Sequence, residues 1–156
     1  MREHDMSSSS QVTPNRIARR TVRIEWGDCD PAGIVYFPRY FAIFDSCTAG
    51  AFEAVGAPKP WLIQHYGIIG FPIVDVRGSF HLPSRFGEDV VVETQITEWG
   101  RSSFKVRHRL LKGDALGAEG HEVRVWSGKD PQNPGRLKGL AVPEEIKVRF
   151  QLPSPL

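Results

Sequence analysis

One stretch of helical periodicity, set among strand-like runs, constrains the fold of this chain more than any other feature. From Phe37 to Val55, mostly apolar side chains recur at spacings of three and four, the pattern of one helix face. Pro38 suits the first turn, and Gly56 followed by Pro58 ends a helix of about five turns. A stripe this apolar has to be buried against a second layer. The stripe consists of Phe37, Phe41, Phe44, Thr48, Phe52 and Val55.

Strand-like runs lie on both sides of this helix. Before it, within residues 16–26, Val22, Ile24 and Trp26 alternate with charged residues, which is the period of a half-buried strand. After it, a Pro-rich turn containing Trp61 leads into four further strand-like runs. These runs are residues 68–80, 90–99, 103–111 and 122–127.

The links between these runs predict how the strands pair. They are short, which favours antiparallel hairpins, because parallel neighbours need a crossover of about a dozen residues or more. From Phe104 to Leu110 the side chains alternate with lysine and arginine, so that strand has one buried face, which includes His108. The segment "GKDPQNPGRLKG" is predicted as a loop, and a short helix or a last strand begins at Pro143.

The order of the elements indicates the fold class. One long helix and a sheet of about five antiparallel strands must pack on each other, which gives a two-layer α+β domain. We expect a single domain over residues 16–156, preceded by a disordered tail over residues 1–15. Five strands leave two open edges, which invites pairing with a second chain.

Composition excludes several classes of function. Lysine and arginine exceed aspartate and glutamate by only two charges, so no nucleic-acid partner is expected. Two cysteines, Cys29 and Cys47, are too few for a disulfide framework and indicate a cytoplasmic protein with reduced thiols. No apolar run approaches the roughly eighteen residues of a membrane span, and the first residues lack the apolar stretch of a signal peptide. The five scattered histidines lack ligand spacing, so neither a metal nor another cofactor is expected.

The junction "GDCDPAGIVYFPRYF", which begins at Gly27, carries the candidate chemistry. Asp28 and Asp30 lie just before the long helix, whose first N–H groups have no internal partner and can hold an oxyanion. Phe37 and Tyr40 would exclude water from these carboxylates. The pattern fits acyl chemistry, but it also fits a simple turn in which the carboxylates bond local amides.

The residues from "EWGDCDPAGIVYFPRYFAIFDSC" to "PWLIQHYGIIGFPIV" resemble the 4-hydroxybenzoyl-CoA thioesterase family of the hotdog superfamily, in its proteobacterial branch. The resemblance covers about residues 21–148. It implies a hotdog fold, with a long helix wrapped by an antiparallel sheet, and dimers with active sites at the interface that usually form tetramers. It also implies hydrolysis of an acyl-CoA thioester, with an aromatic acyl group favoured.

The resemblance also assigns roles at the junction. Asp30, the aspartate before the proline, corresponds to the catalytic carboxylate, which acts as nucleophile or as general base. Asp28 is then structural. The oxyanion donor falls on the backbone N–H of Phe37. A side chain is not needed for that role, so phenylalanine in place of the tyrosine of relatives changes little.

Two further sets of residues follow from the same resemblance. Asp45 would accept a hydrogen bond from a phenolic hydroxyl, and Trp61, with Tyr40, would line the acyl pocket; the alternatives are a solvated edge residue and a core side chain. The phosphates of CoA would be met in the turn after the third strand and at Lys138. Relatives have a cluster of basic residues in that turn, of which this chain keeps only one. The alternative for this residue and for Lys138 is a solvated surface cation. The turn residues are Arg101, Ser102 and Ser103.

Other functions remain open from the residues. A hotdog hydratase would need a histidine where this chain has Gly33, so its acid and base pair would be incomplete. A short-chain fatty acyl-CoA thioesterase carries the same motif. A non-catalytic acyl-CoA binding protein on the same fold is the alternative outside enzymes.

Overall fold

The computed structural model describes residues 15–151, so all but the last residue of the tail predicted over residues 1–15 lies outside the described part. Within that part the chain forms eight strands and three α-helices. In order they are β1 Ile17–Arg23, α1 Phe37–Ala54, α2 Lys59–Tyr66, β2 Ile68–Gly70, β3 Ile73–Phe80, β4 Asp89–Trp99, β5 Ser103–Lys112, β6 Ala115–Val125, β7 Ser127–Asp130, β8 Asn133–Gly139 and α3 Glu144–Gln151. A short 3₁₀ helix, Trp26–Asp28, follows β1.

Five of the strands form one antiparallel sheet in the order β1-β4-β5-β6-β3. The first strand pairs with β4, so that Val22 lies opposite Val90. Strands β4, β5 and β6 form a meander, and β1 and β3 are its edges. The predicted α+β class and the antiparallel sheet are therefore confirmed.

Helix α1 buries one face against this sheet. Its eighteen residues make about five turns, as predicted. Phe44 and Phe52 are fully buried at the centre of two apolar clusters, and burying each ring contributes about 2–3 kcal/mol relative to exposure. The predicted stripe is wrong at its first turn, where Phe37 is 57% exposed and Tyr40 is buried instead. Gly56, with a φ of 74°, ends the helical segment.

Helix α2 replaces the predicted Pro-rich turn around Trp61. Pro58 precedes the helix and Pro60 lies in its first turn, where the missing N–H would have had no partner anyway. Gly67 closes the helix in the left-handed region, with a φ of 65°. The prolines that suggested a turn therefore mark a helix start.

Strand β6 begins earlier than predicted, because the segment "KGDALGAEG" supplies its first half. Its glycines suggested a turn, but Gly120 lies beneath α1. A Cβ atom there would come within 2.5 Å of the Phe44 ring, so only glycine fits under the helix. Close approach of two elements, rather than a turn, explains this glycine.

The segment predicted as a loop, "GKDPQNPGRLKG", contributes to the hairpin of β7 and β8. These strands form a second, three-stranded sheet with β2, in the order β2-β7-β8. The predicted strand over residues 68–80 is consequently divided between two sheets. The C-terminal segment after Pro143 forms helix α3, which is one of the two predicted alternatives. At the other end of the described chain, Asn15 donates a hydrogen bond to the Ile96 carbonyl.

Candidate active site

The first aspartate of the junction holds the turn together. Asp28 Oδ2 accepts a hydrogen bond from the Glu25 N–H at 2.9 Å, and its Oδ1 lies 3.8 Å from Arg39 Nε. The Tyr36 N–H donates to the Asp28 carbonyl at 2.8 Å, which ties the turn to the residue before α1. All of these partners are local, and they support a structural role for Asp28.

The second aspartate forms an Asx-type turn and keeps part of its carboxylate open. Asp30 Oδ1 accepts a hydrogen bond from the Ala32 N–H at 2.8 Å, and the Gly33 N–H donates to the Asp30 carbonyl at 2.9 Å. Asp30 Oδ2 accepts no hydrogen bond from residues 15–151, and the side chain is half-buried. The turn thus orients the carboxylate through one oxygen and leaves the other available to a ligand.

The backbone N–H of Phe37 is an open donor at the start of α1. No acceptor within residues 15–151 takes a hydrogen bond from the Phe37 N–H, Pro38 has no N–H, and the Arg39 N–H donates to the Tyr36 carbonyl at 2.8 Å. The positive end of the helix macrodipole therefore acts on the Phe37 N–H. An open N–H at a helix start is a group that can donate to an oxyanion.

Beside this donor lies a mainly apolar pocket of about 370 Å³, here called the junction pocket. Phe37 and Tyr40 both line it, Asp28 and Asp30 do not, and the Tyr40 ring lies 5.1 Å from the Phe80 ring between centroids. Its lining residues are Ile34, Val35, Phe37, Tyr40, Phe80, His81, Leu82 and Pro83.

A second pocket of about 360 Å³, here called the Asp45 pocket, lies elsewhere on the same chain. Its polar groups are Asp45, Lys59 and Arg124. Asp45 is exposed, but its Oδ1 accepts a 2.7 Å hydrogen bond from the buried Arg124 guanidinium. Its apolar walls are Ile69, Phe71, Pro72, Ile73 and Leu137. Asp45 is therefore an oriented carboxylate at the mouth of an apolar pocket.

Trp61 lies in neither pocket. Its ring stacks on His65, with centroids 4.7 Å apart, and the Arg149 guanidinium lies 4.8 Å from its centre. It packs against the Phe52 core cluster and lines a separate cleft with Gln64 and His65. A single chain does not bring Trp61 to the other predicted acyl contacts.

The four candidate CoA contacts lie in two neighbouring segments of the chain. The Val142 N–H donates to the Arg101 carbonyl at 2.8 Å, which holds the β4–β5 turn against the segment after β8. A Cβ atom at Gly139, next to Lys138, would lie 3.1 Å from Ser102 Oγ. Ser103 opens β5 in the same turn. The side chains of Arg101 and Lys138 are exposed and form no ion pair within the described chain.

Sequence reasoning missed a buried polar network behind Asp45. Glu122 is 2% exposed and accepts hydrogen bonds from Thr48 at 2.8 Å and from Arg124 at 2.8 Å. Burial alone would raise the pKa of Glu122, but hydrogen bonds from His108 and Arg124 outweigh it and lower that pKa to about 2. Two charged residues on the inward face of "HEVRV" were the available signal.

Two further properties concern the described part of the chain. None of the helices within residues 15–151 has the length and apolar character needed to cross a membrane. No group of three or more histidine, cysteine, aspartate or glutamate side chains in this part is placed to hold a metal ion. Cys29 and Cys47 are both unpaired thiols.

Comparison with known proteins identifies related sequences. The profile of the thioesterase-like superfamily matches residues 24–151. A 4-hydroxybenzoyl-CoA thioesterase from Pseudomonas sp. strain CBS-3 is 38% identical over 130 residues, which cover 79% of this chain and 89% of that protein.

Solved structures show the same relationship. The 4-hydroxybenzoyl-CoA thioesterase structure from Pseudomonas sp. strain CBS-3 superposes with a TM-score of 0.77 at 34% identity, over 86% of this chain and 99% of that one. A gentisyl-coenzyme A thioesterase superposes with a TM-score of 0.74 at 32% identity, over 83% of this chain and 99% of that one.

Proposed function

Because this chain belongs to the thioesterase-like superfamily and has its hotdog fold, we propose that it hydrolyses an aromatic acyl-CoA thioester of the 4-hydroxybenzoyl type to the free acid and CoA. The observation that carries the proposal is the open Phe37 N–H at the start of α1, preceded in the same junction by the Asp30 carboxylate with one unbonded oxygen. The reaction needs no cofactor beyond water, and the free thiols fit a reducing compartment such as the cytoplasm.

The chemistry follows from these two groups. The thioester oxygen accepts a hydrogen bond from the Phe37 N–H, and this bond strengthens as negative charge develops on the oxygen. Asp30 either adds to the carbonyl carbon, which releases CoA thiolate and leaves an anhydride for water to cleave, or takes a proton from an attacking water. A single-turnover reaction in ¹⁸O water distinguishes the two mechanisms, because incorporation of label into the Asp30 carboxylate supports the anhydride mechanism.

We infer that a complete site needs two chains. Ile73, at one end of β3, lines the Asp45 pocket, and Phe80, at the other end, lines the junction pocket. The strand has eight residues, so its ends are about 23 Å apart. Because β3 is an edge strand, antiparallel pairing with a second β3 about a twofold axis brings Asp45 of the partner subunit towards this chain's junction pocket. Two such dimers would then form a homotetramer.

In this arrangement Asp45 accepts a hydrogen bond from a hydroxyl on the acyl ring, while the apolar walls of its pocket contact the ring itself. Tyr40 closes the opposite side and helps to exclude water. A role for Trp61 in the acyl pocket remains a prediction, since its contacts in one chain are with His65 and Arg149.

We further propose that Arg101, Ser102, Ser103 and Lys138 receive the phosphates of CoA. Two observations support this proposal. The two segments that carry these residues lie next to each other, and the side chains of Arg101 and Lys138 are exposed without an ion-pair partner in the described chain. Replacing Arg101 and Lys138 by alanine should raise KM for acyl-CoA but change little with the matching acyl-pantetheine. An equal loss with both substrates would show that these cations do not bind the nucleotide.

A panel of thioesters tests the proposed activity. The protein is incubated with 4-hydroxybenzoyl-CoA, benzoyl-CoA, butyryl-CoA and crotonyl-CoA, and free thiol is measured together with the absorbance of the enoyl group. We expect thiol release, fastest with the hydroxylated aromatic substrate. Thiol release that is fastest from butyryl-CoA would show that the substrate is a short-chain fatty acyl-CoA and not an aromatic one. A loss of enoyl absorbance from crotonyl-CoA without thiol release would indicate a hydratase. Binding of the thioesters without either change would indicate a non-catalytic binding protein.

A further inference from the structure

We propose that Arg124 is a positioning residue for acyl recognition, held from behind by the buried Glu122 so that it fixes the orientation of the Asp45 carboxylate. The inference rests on the proposed function, because it assigns Asp45 to the hydroxyl of the acyl ring. It adds a determinant of substrate preference that does not touch the reacting atoms.

Arg124 is built into the wall of the Asp45 pocket. Its side chain is 3% exposed, and all three guanidinium nitrogens have partners. Nε donates to Glu122 at 2.8 Å, Nη1 donates to the Phe71 carbonyl at 3.2 Å, and Nη2 donates to Asp45 at 2.7 Å. A planar donor group held at three points has little freedom to move.

The anchor of Arg124 continues into the core. Glu122 Oε2 also accepts from Thr48, and the His108 Nε2 atom lies 3.2 Å from Thr48 Oγ1 and 3.3 Å from Glu122 Oε1. On its other side His108 Nδ1 lies 2.9 Å from Thr94 Oγ1, and its ring stacks on Phe44 at 4.8 Å. The side chain of every member of this series is buried.

A contribution to stability alone does not account for this series of buried, hydrogen-bonded side chains from His108 through Glu122 to Arg124. Buried ion pairs contribute little net stability, because desolvation offsets their attraction, and apolar residues of similar size often serve as well. What distinguishes this series is where it ends. Asp45 has a side chain that is 59% exposed, at the mouth of a pocket, whereas Arg124 and Glu122 behind it are 3% and 1% exposed.

The hydrogen bond from Arg124 restricts the orientation of the Asp45 carboxylate. A carboxylate with this exposure would otherwise sample several rotamers. Arg124 binds Oδ1, and within residues 15–151 no donor reaches Oδ2. One oxygen is therefore fixed by the protein, and the other is directed to accept from a ligand hydroxyl. This orientation benefits only acyl groups that carry such a hydroxyl.

The test compares kcat/KM for 4-hydroxybenzoyl-CoA and benzoyl-CoA in the full chain. Arg124→Lys keeps a positive charge but loses the three-point attachment, and we expect the preference for the hydroxylated substrate to fall by about tenfold or more. Asp45→Asn should lower the same preference. The double variant should lose little beyond either single variant, since both act through one contact. Arg107→Lys, in an exposed pair with Glu119 on the same sheet, is the matched control and should retain the preference.

Equal losses with both substrates, or additive losses in the double variant, would overturn the positioning role and leave Arg124 as a structural residue. If Arg124→Lys does not fold, Glu122→Gln takes its place, because it removes the anchoring charge and keeps the shape; it should lower the preference in the same way. A wild-type protein that releases no thiol from any acyl-CoA refutes the proposed function. A wild-type preference that survives in Arg124→Lys refutes only the present inference.

Discussion

At the scale of single residues, Glu122 illustrates how a carboxylate is accommodated inside the core. Desolvation disfavours its charged form, yet Thr48 and Arg124 donate to its Oε2 and the His108 ring lies beside its Oε1, so its pKa lies at about 2 in the folded protein. In the unfolded chain its value is the ordinary 4.5. The folded state therefore binds the proton of Glu122 more weakly than the unfolded state.

This difference predicts a pH dependence of stability. Relative to the protein with Glu122 protonated, the lowered folded-state pKa adds stability that is present above about pH 4.5 and is lost as the pH falls towards 2, amounting to about 3 kcal/mol. Glu122→Gln removes this contribution, so the gap in unfolding free energy between wild type and variant should shrink between about pH 6 and pH 3. Urea unfolding at both pH values measures it. Glu98→Gln, in an exposed pair with Lys105, should show no such change, and a gap for Glu122→Gln that is constant with pH would contradict the account.

Sequence reasoning reached some of these residues and not others for a physical reason. Asp28, Asp30 and Phe37 lie close together along the chain, and the side chains of both aspartates accept hydrogen bonds from N–H groups two or three residues away. Asp45 and Arg124 are separated by 79 positions, and only the packing of α1 on the sheet joins them. The local half of the candidate site was therefore predictable, whereas the contact that orients Asp45 was not.

At the scale of elements, the contact of α1 with β6 depends on the absence of a side chain at Gly120. An added methyl group would lie 2.5 Å from the Phe44 ring, which is itself confined by stacking on His108. Close packing of this kind leaves neither the ring nor the strand free to move aside.

Gly120→Ala should therefore destabilise the protein by about 1–3 kcal/mol, as overpacking does. Gly50→Ala is the matched control, because nothing lies within 4 Å of its added Cβ atom and alanine favours a helix. That variant should be neutral or more stable, by up to about 1 kcal/mol. Thermal unfolding of both proteins measures the difference, and equal melting temperatures would show that the packing at Gly120 is looser than described.

The elements that the sequence did not predict share one property, which is that glycine or proline occurs inside them. Pro134 lies in β8, an edge strand, where a missing donor removes no hydrogen bond from the sheet. The long helix and strands β4 and β5 were predicted, because their periodicity extends over about ten residues or more. Short elements whose stability comes from tertiary contacts carry a weaker local signal.

At the scale of the whole molecule, the proposed pairing of two chains would use the edge strand β3. The strand exposes several apolar side chains along its length, among them Val74 at 63% and Val76 at 40%. An exposed apolar edge strand favours pairing with another chain. The proposed composite site makes activity depend on that pairing.

Val74→Lys should weaken the dimer, because a charge on an edge strand opposes edge pairing. Light scattering should show a smaller species, and thioester hydrolysis should fall with the loss of the dimer. Val148→Lys, which places the same charge on helix α3 where Val148 is 42% exposed, should leave both unchanged. A fully active Val74→Lys monomer would refute a site shared between subunits.

The central claim is that Asp30 carries out the chemistry at the start of α1. Asp30→Asn keeps an oxygen to accept the Ala32 N–H, so the turn should persist while the charge is lost. We predict a melting temperature close to wild type and a fall in kcat for 4-hydroxybenzoyl-CoA of about 10²-fold or more. Asp28→Asn, at the structural position, should change the melting temperature more than kcat. Near wild-type turnover in a folded Asp30→Asn protein would contradict the assignment.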